Sequence, residues 1–168
     1  MHPNVLQKME EAVLLEFIDG LPWKKVSHAY GVANDAPIEL RRLLSQDDDE
    51  RFDAICGFLL SSAFHQYTIY PATPYVMLCV LKILKFGSIN ELDSGFGDLM
   101  ASQLLHFLML CVERGQKGIY GPPHSLAPTI EVAAMKGMEL FREFTEHDDA
   151  AVANEARALL EWAQTQKM

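Results

Sequence analysis

Histidine, cysteine and tyrosine are the side chains of this sequence best suited to acid–base, nucleophilic or recognition chemistry, so their spacing is weighed first. His28, His65, His106 and His124 share no i, i+4 interval of the kind that pairs zinc ligands on one helix face. Cys56 and Cys79 flank a region containing His65, but nothing beside them would activate a thiolate, and both read as core packing. The stretch "GSINELDSGFG" (87–97) has glycines but no strand before it and no lysine after it, so it is not a phosphate loop; it reads as a flexible connection. No G-x-S-x-G is present. The sequence therefore predicts no catalytic residue, no cofactor and no metal.

What remains is recognition chemistry. "HQYTIYPATPY" (65–75) interrupts two strongly apolar segments with His65, Tyr67, Tyr70, Tyr75 and two prolines. A second link, "GQKGIYGPPHS" (115–125), brings Tyr120 and His124. Two readings stand side by side. The rings cover the open end of a helix pair, with hydroxyls reaching water or backbone, or they line a binding rim, where tyrosine is a favoured anchor. The acid run "QDDDE" (46–50) is likewise double: Asp47 and Asp48 suit a helix start, where negative charge is stabilising, and they also suit contact with a basic partner. Glu39 and Glu139, with Glu131 and Glu143, would extend that acidity along one side.

The elements that must position these residues are helices. Leu6, Met9, Val13 and Phe17 fall at helical spacing, with Glu10, Glu11 and Glu16 mostly off the stripe. Further helices are predicted over 36–44, with Asn34 or Asp35 as N-cap, and over about 47–63, 72–86, 98–114, 127–145 and 148–165. No alternating strand pattern competes. Trp23 reads as packing the N-terminal helix onto the first helical repeat.

At 168 residues the chain is sized for a single domain, 1–168, and 49% hydrophobic with 22% charged residues is ordinary globular composition. Against 23 acidic residues stand 14 basic ones, a formal charge of −9, which opposes binding to phosphate backbones and favours a basic protein partner. Three unclustered cysteines read as free thiols of a reducing compartment. Glu10 and Glu11 break any secretory apolar core, and "LMASQLLHFLMLCV" (99–112) is short of the roughly 20 residues that cross a bilayer. The expectation is a cytoplasmic protein with no membrane or nucleic-acid contact.

A long-range repeat adds to this. "IELRRLLSQDDD" (38–49) and "MELFREFTEHDD" (138–149) share Glu39/Glu139, Leu40/Leu140, Arg42/Arg142, Asp48/Asp148 and Asp49/Asp149, and Leu59 and Leu60 match Leu159 and Leu160. At half the interval, Ile69 and Tyr70 match Ile119 and Tyr120, and Asp98 falls midway. Each unit reads as a helix end, a Ser45 or Thr145 cap and a second helix, a pair that must stack on its neighbours to bury its apolar faces. The turn "SQDDDERFDA" (45–54) resembles those of HEAT-like repeats. "PWKKVSHAYGVANDAP" (22–37) followed by "HQYTIYPAT" (65–73) resembles a family of small bacterial HEAT-like proteins with similar Trp…His-Ala-Tyr-Gly and His-Gln-x-Thr-x-Tyr segments. The resemblance implies an all-α, HEAT-like α-solenoid of about three helical hairpins plus an N-terminal helix, and carries no settled chemistry. With the charge, it points to a non-enzymatic protein-binding module, an immunity-like inhibitor of a basic bacterial toxin domain. The alternatives are an adaptor or scaffold of a regulatory complex and a HEAT-like enzyme acting on nucleic acid, as some DNA glycosylases are.

Overall fold

The computed structural model describes residues 3–166. As the periodicity predicts, the chain is mostly helical: α1 (Pro3–Asp19), α2 (Ala36–Arg42), α3 (Asp48–Asp53) running into a π-helix (Ala54–Ala63), α4 (Thr73–Phe86), α5 (Met100–Gly115), α6 (Ile130–Met135), α7 (Met138–Phe144) and α8 (Ala150–Thr165). The two most apolar helices sit in the middle. α4 packs on α1, α5 and α6, while α5 packs on the π-helix, α6 and α8. Val76, Met77, Val80, Ile83, Leu104, Leu105 and Leu108 form the fully buried centre. Proline in the first turn of α4 and left-handed Gly87 after its last turn set its bounds. The predicted helix over 127–145 starts at Ile130 and breaks before Gly137, where a Cβ would stand 2.5 Å from Leu81 and Phe141. Among the described residues no helix is long and apolar enough to cross a membrane.

Several expectations are corrected. The chain has strands after all: β1 (Ser27–His28) pairs with β2 (Gly31–Val32), and β3 (Phe64–His65) pairs with β4 (Thr68–Ile69). Two-residue strands are too short to show alternation, which is why periodicity could not find them. The predicted Ser45 and Thr145 caps are replaced by Asp47 and Asp149, each of whose Oδ1 accepts two first-turn N–H bonds, from Asp49 and Glu50 and from Ala151 and Val152. A carboxylate is the stronger acceptor for those donors at the positive helix end. The residues before them differ in role: Ser45 Oγ accepts the Asp47 N–H, while the Thr145 hydroxyl donates to the Arg142 carbonyl. The counterpart of Ser45 is His147, whose Nδ1 accepts the Asp149 N–H. The two corners therefore match two residues out of the predicted register. Asp98 caps nothing; from the loop before α5 it accepts from Ser94 of that loop and from Gln103 of α5.

That loop is tied down rather than free. Arg51, 1% exposed, reaches the carbonyls of Ser45 and Asp93 and pairs with Asp48, so one buried guanidinium joins the α2–α3 corner to the α4–α5 loop. His147 pairs with Glu91 at 2.8 Å and joins the α7–α8 corner to the same loop. The three corners thus form one end of the molecule, rich in acids.

These contacts make two predictions. Asp47→Ala and Asp149→Ala should each lower unfolding free energy by about 1 kcal/mol in urea melts. At the α5–α8 interface, the hydrogen bond that protonated His106 donates to Glu155, 2.9 Å away, raises the His106 pKa above its ordinary value. The stabilisation from the charged pair is therefore present below about pH 6.5 and is lost as pH rises through the raised value. NMR titration should show the His106 midpoint falling on Glu155→Gln.

Candidate protein-binding surface

The opposite end of the molecule is laced by backbone. β3 follows the last π-helical turn, and its Gln66–Tyr67 turn has φ of 47° and 62°, positive at both central residues as in a type I′ hairpin. Neither residue is the glycine or asparagine that such a turn prefers, and each strained conformation costs on the order of 1–3 kcal/mol. Side-chain contacts hold it: the Arg114 guanidinium lies 4.4 Å over the Tyr67 ring, which also meets Phe64 edge-on. Thr73, fully buried at the start of α4, accepts the Tyr70 N–H at 2.8 Å and donates to the Ala63 carbonyl at 2.6 Å. Further bonds run from Ala29 N to Ser62 O, from Ala72 N to Ser27 O and from Tyr120 N to Ile69 O. Both hairpins, the π-helix end and the 115–125 link are therefore one unit.

On this unit the tyrosines gather. Tyr67 is 66% exposed and Tyr120 is 72% exposed. Tyr70 is half-buried beneath, its ring edge-on to Tyr120 at 6.0 Å. Burial first, then neighbouring Tyr120 and Tyr30, push the Tyr70 phenol up, so it stays neutral. His65 stands edge-on to Tyr30, ring centroids 5.5 Å apart. Tyr30, 69% exposed, and Arg114 belong to this surface and escaped the sequence reading. Tyr30 occupies the Ala29–Tyr30 turn of the first hairpin, and the following Gly31, at φ 122°, is the only local signal of it.

Other predicted site residues lie elsewhere. Tyr75 is a core residue, 4% exposed, packed edge-on against Trp23. Its first-turn place on central α4 turns it inward. Burial raises its pKa, so the hydroxyl keeps its proton, and it shares a 2.8 Å hydrogen bond with His124 Nδ1. Trp23 is the packing residue the sequence suggests, buried and donating to the Ile18 carbonyl. Asp47 and Asp48 sit at the far end of the α3–π-helix rod, about 20 Å from His65 by helical rise, and serve as cap and Arg51 partner. Glu39 pairs with Arg42. Glu139 is exposed on α7 and lines a cavity of about 430 Å³ with Lys82, Lys85 and Lys136. The acids and the exposed tyrosines therefore occupy different places.

His28 and the three cysteines are engaged or damped. His28 is buried; its Nδ1 accepts the Tyr30 N–H, which leaves the proton on Nε2 to bond Asp35 at 2.7 Å. Burial and Asp53 raise the Cys56 thiol, and burial raises Cys79 and Cys111 well above the ordinary range. Among the described residues no cluster of three or more His, Cys, Asp or Glu is placed to hold a metal ion. Compared with known protein families, curated proteins and solved structures, the chain matches none.

The lacing makes a direct prediction. Thr73→Val keeps the shape but leaves the buried Ala63 carbonyl and Tyr70 N–H without partners, which should cost about 1–3 kcal/mol in denaturant melts. Amide exchange should quicken first at residues 64–73.

Proposed function

We propose that this chain is a non-enzymatic, protein-binding module that anchors a partner on the tyrosine end. The observation that carries this reading is the exposure of Tyr30, Tyr67 and Tyr120, at 69%, 66% and 72%, on rigid backbone. Large rings held in place lose little freedom on binding, which is why Tyr and Arg dominate interface hot spots. The HEAT-like solenoid reading is supported by the helix contacts. The second helices of three successive pairs, the π-helix, α5 and α8, touch in sequence, and matching capped corners begin the first and third.

Charge supplies the second half. Asp47, Asp48, Asp49, Glu50, Glu91, Asp93, Glu146 and Asp148 are exposed at the corner end, and the chain carries a formal charge of −9. Such a field steers a basic protein, and steering acts on association while buried anchors act on dissociation. A basic toxin domain neutralised by an immunity-like inhibitor inside the producing cell fits both. The HEAT-like family resemblance belongs to the same reading.

The kinetics separate the two contributions. With the partner that co-purifies from native cells, Tyr30→Ala, Tyr67→Ala and Tyr120→Ala together should raise the dissociation rate by at least tenfold with a small change in association. Added salt should slow association. Rescue of cells from the neighbouring gene product should fail with the triple variant. A neighbouring product that is harmless without this protein would end the inhibitor reading, and unchanged dissociation would end the anchor reading.

A further inference from the structure

The N-terminal helix leaves its apolar stripe uncovered. Val5, Leu6, Met9 and Val13 are 48%, 50%, 54% and 65% exposed, whereas the core face of α1 is made by Leu14 and Ile18. The stripe that periodicity picks out thus points away from the core, and only Phe17 of it packs inward. It forms one wall of a groove of about 470 Å³, and α4 forms the other with Lys82, Lys85 and Phe86. The neighbouring cavity shares both lysines and adds Lys136. Every ion pair among the described residues uses arginine or histidine as its cation, so these lysines make none there, although Glu139 and Glu143 share the neighbouring cavity and Glu10 the groove. Lys82 lies instead over the Phe17 ring, 4.5 Å from its centre.

At about 100° per residue, Leu6, Met9 and Val13 share one face of α1, with Glu10 bordering it on one side and Glu16 on the other. One wall of the groove is therefore apolar with Glu10 at its edge, and the other carries Phe86 with Lys82 and Lys85, while Glu16 borders the stripe on its outer side. A two-fold axis through such a groove sets the acidic edges of each copy against the lysines of the other, which is the self-complementarity an isologous interface requires.

We propose that this groove is a homodimer interface, in which the Leu6–Met9–Val13 stripe of a second copy packs antiparallel against α1 while its Glu10 and Glu16 meet Lys82 and Lys85. The overall negative charge opposes self-association, and Lys82 and Lys85 offset it locally in the groove. The dimer is accordingly weaker in high salt. It leaves the tyrosine end free and does not depend on the function proposed above.

Sedimentation velocity over a concentration series decides the matter. The native chain should pass from monomer to dimer as concentration rises, and Val13→Glu should shift the midpoint at least tenfold upward. Lys82→Glu with Lys85→Glu should give monomer, as should Glu10→Lys with Glu16→Lys. An equimolar mixture of those two variants should form a heterodimer, because both contacts then regain opposite charges; that recovery also shows that each variant is folded. A native chain monomeric throughout the series overturns the proposal. So does a dimer indifferent to Val13→Glu and to both charge reversals.

Discussion

The hydroxyl of Thr73 is a small group on which a whole end of the molecule converges. It accepts the Tyr70 N–H and donates to the Ala63 carbonyl, so it closes the π-helix and opens α4 in one step. The Ala63 carbonyl would otherwise be left unpaired at the π-helix end and the Tyr70 N–H in the loop before α4, and burial makes an unpaired group expensive. The bonds from Ala29 to Ser62, from Ala72 to Ser27 and from Tyr120 to Ile69 extend the same arrangement to three loops. A surface assembled this way keeps its exposed rings in fixed places. The strained Gln66–Tyr67 turn fits the same picture, because positive φ at two bulky residues persists only where the surroundings overdetermine it.

The π-helix is part of that constraint. The Ser61 and Ser62 hydroxyls bond the carbonyls of Cys56 and Gly57, five residues back, which matches the wider repeat of this segment. At its other end the rod begins with the Asp47 cap and with Arg51 buried under the α2–α3 corner. One rod thus separates an acidic end from an aromatic one. In the function proposed above, each end has distinct physical work: long-range attraction at one, and desolvated contact at the other.

Much of the helical order was legible in the sequence, because apolar periodicity reports burial directly. The α4 and α5 segments, apolar nearly all round, are indeed the central helices. Harder features were those set by backbone geometry or by single buried polar atoms. Arg51 lies in a run of acids and looks like a solvated charge, yet it is 1% exposed because three acceptors surround it. The repeat was visible, but its register was not, since aligning identical residues put Ser45 opposite Thr145 while the caps are Asp47 and Asp149. Tyrosine position followed the same divide. Tyr70 and Tyr120, matched at the half interval, are ring neighbours, whereas Tyr75 disappears into the core and Tyr30 enters from a hairpin too short to predict. The Leu6–Met9–Val13 stripe was recognised as a face, and periodicity cannot say whether a face turns inward or outward.

The central claim is that the tyrosine end meets the partner and the corner end does not. Site-specific photocrosslinking in native cells tests it most directly, with a benzophenone side chain in place of Tyr120 in one sample and of Asp49 in another. The account requires a covalent adduct to the partner from position 120 and little or none from position 49. An adduct from position 49 with none from position 120 would contradict it.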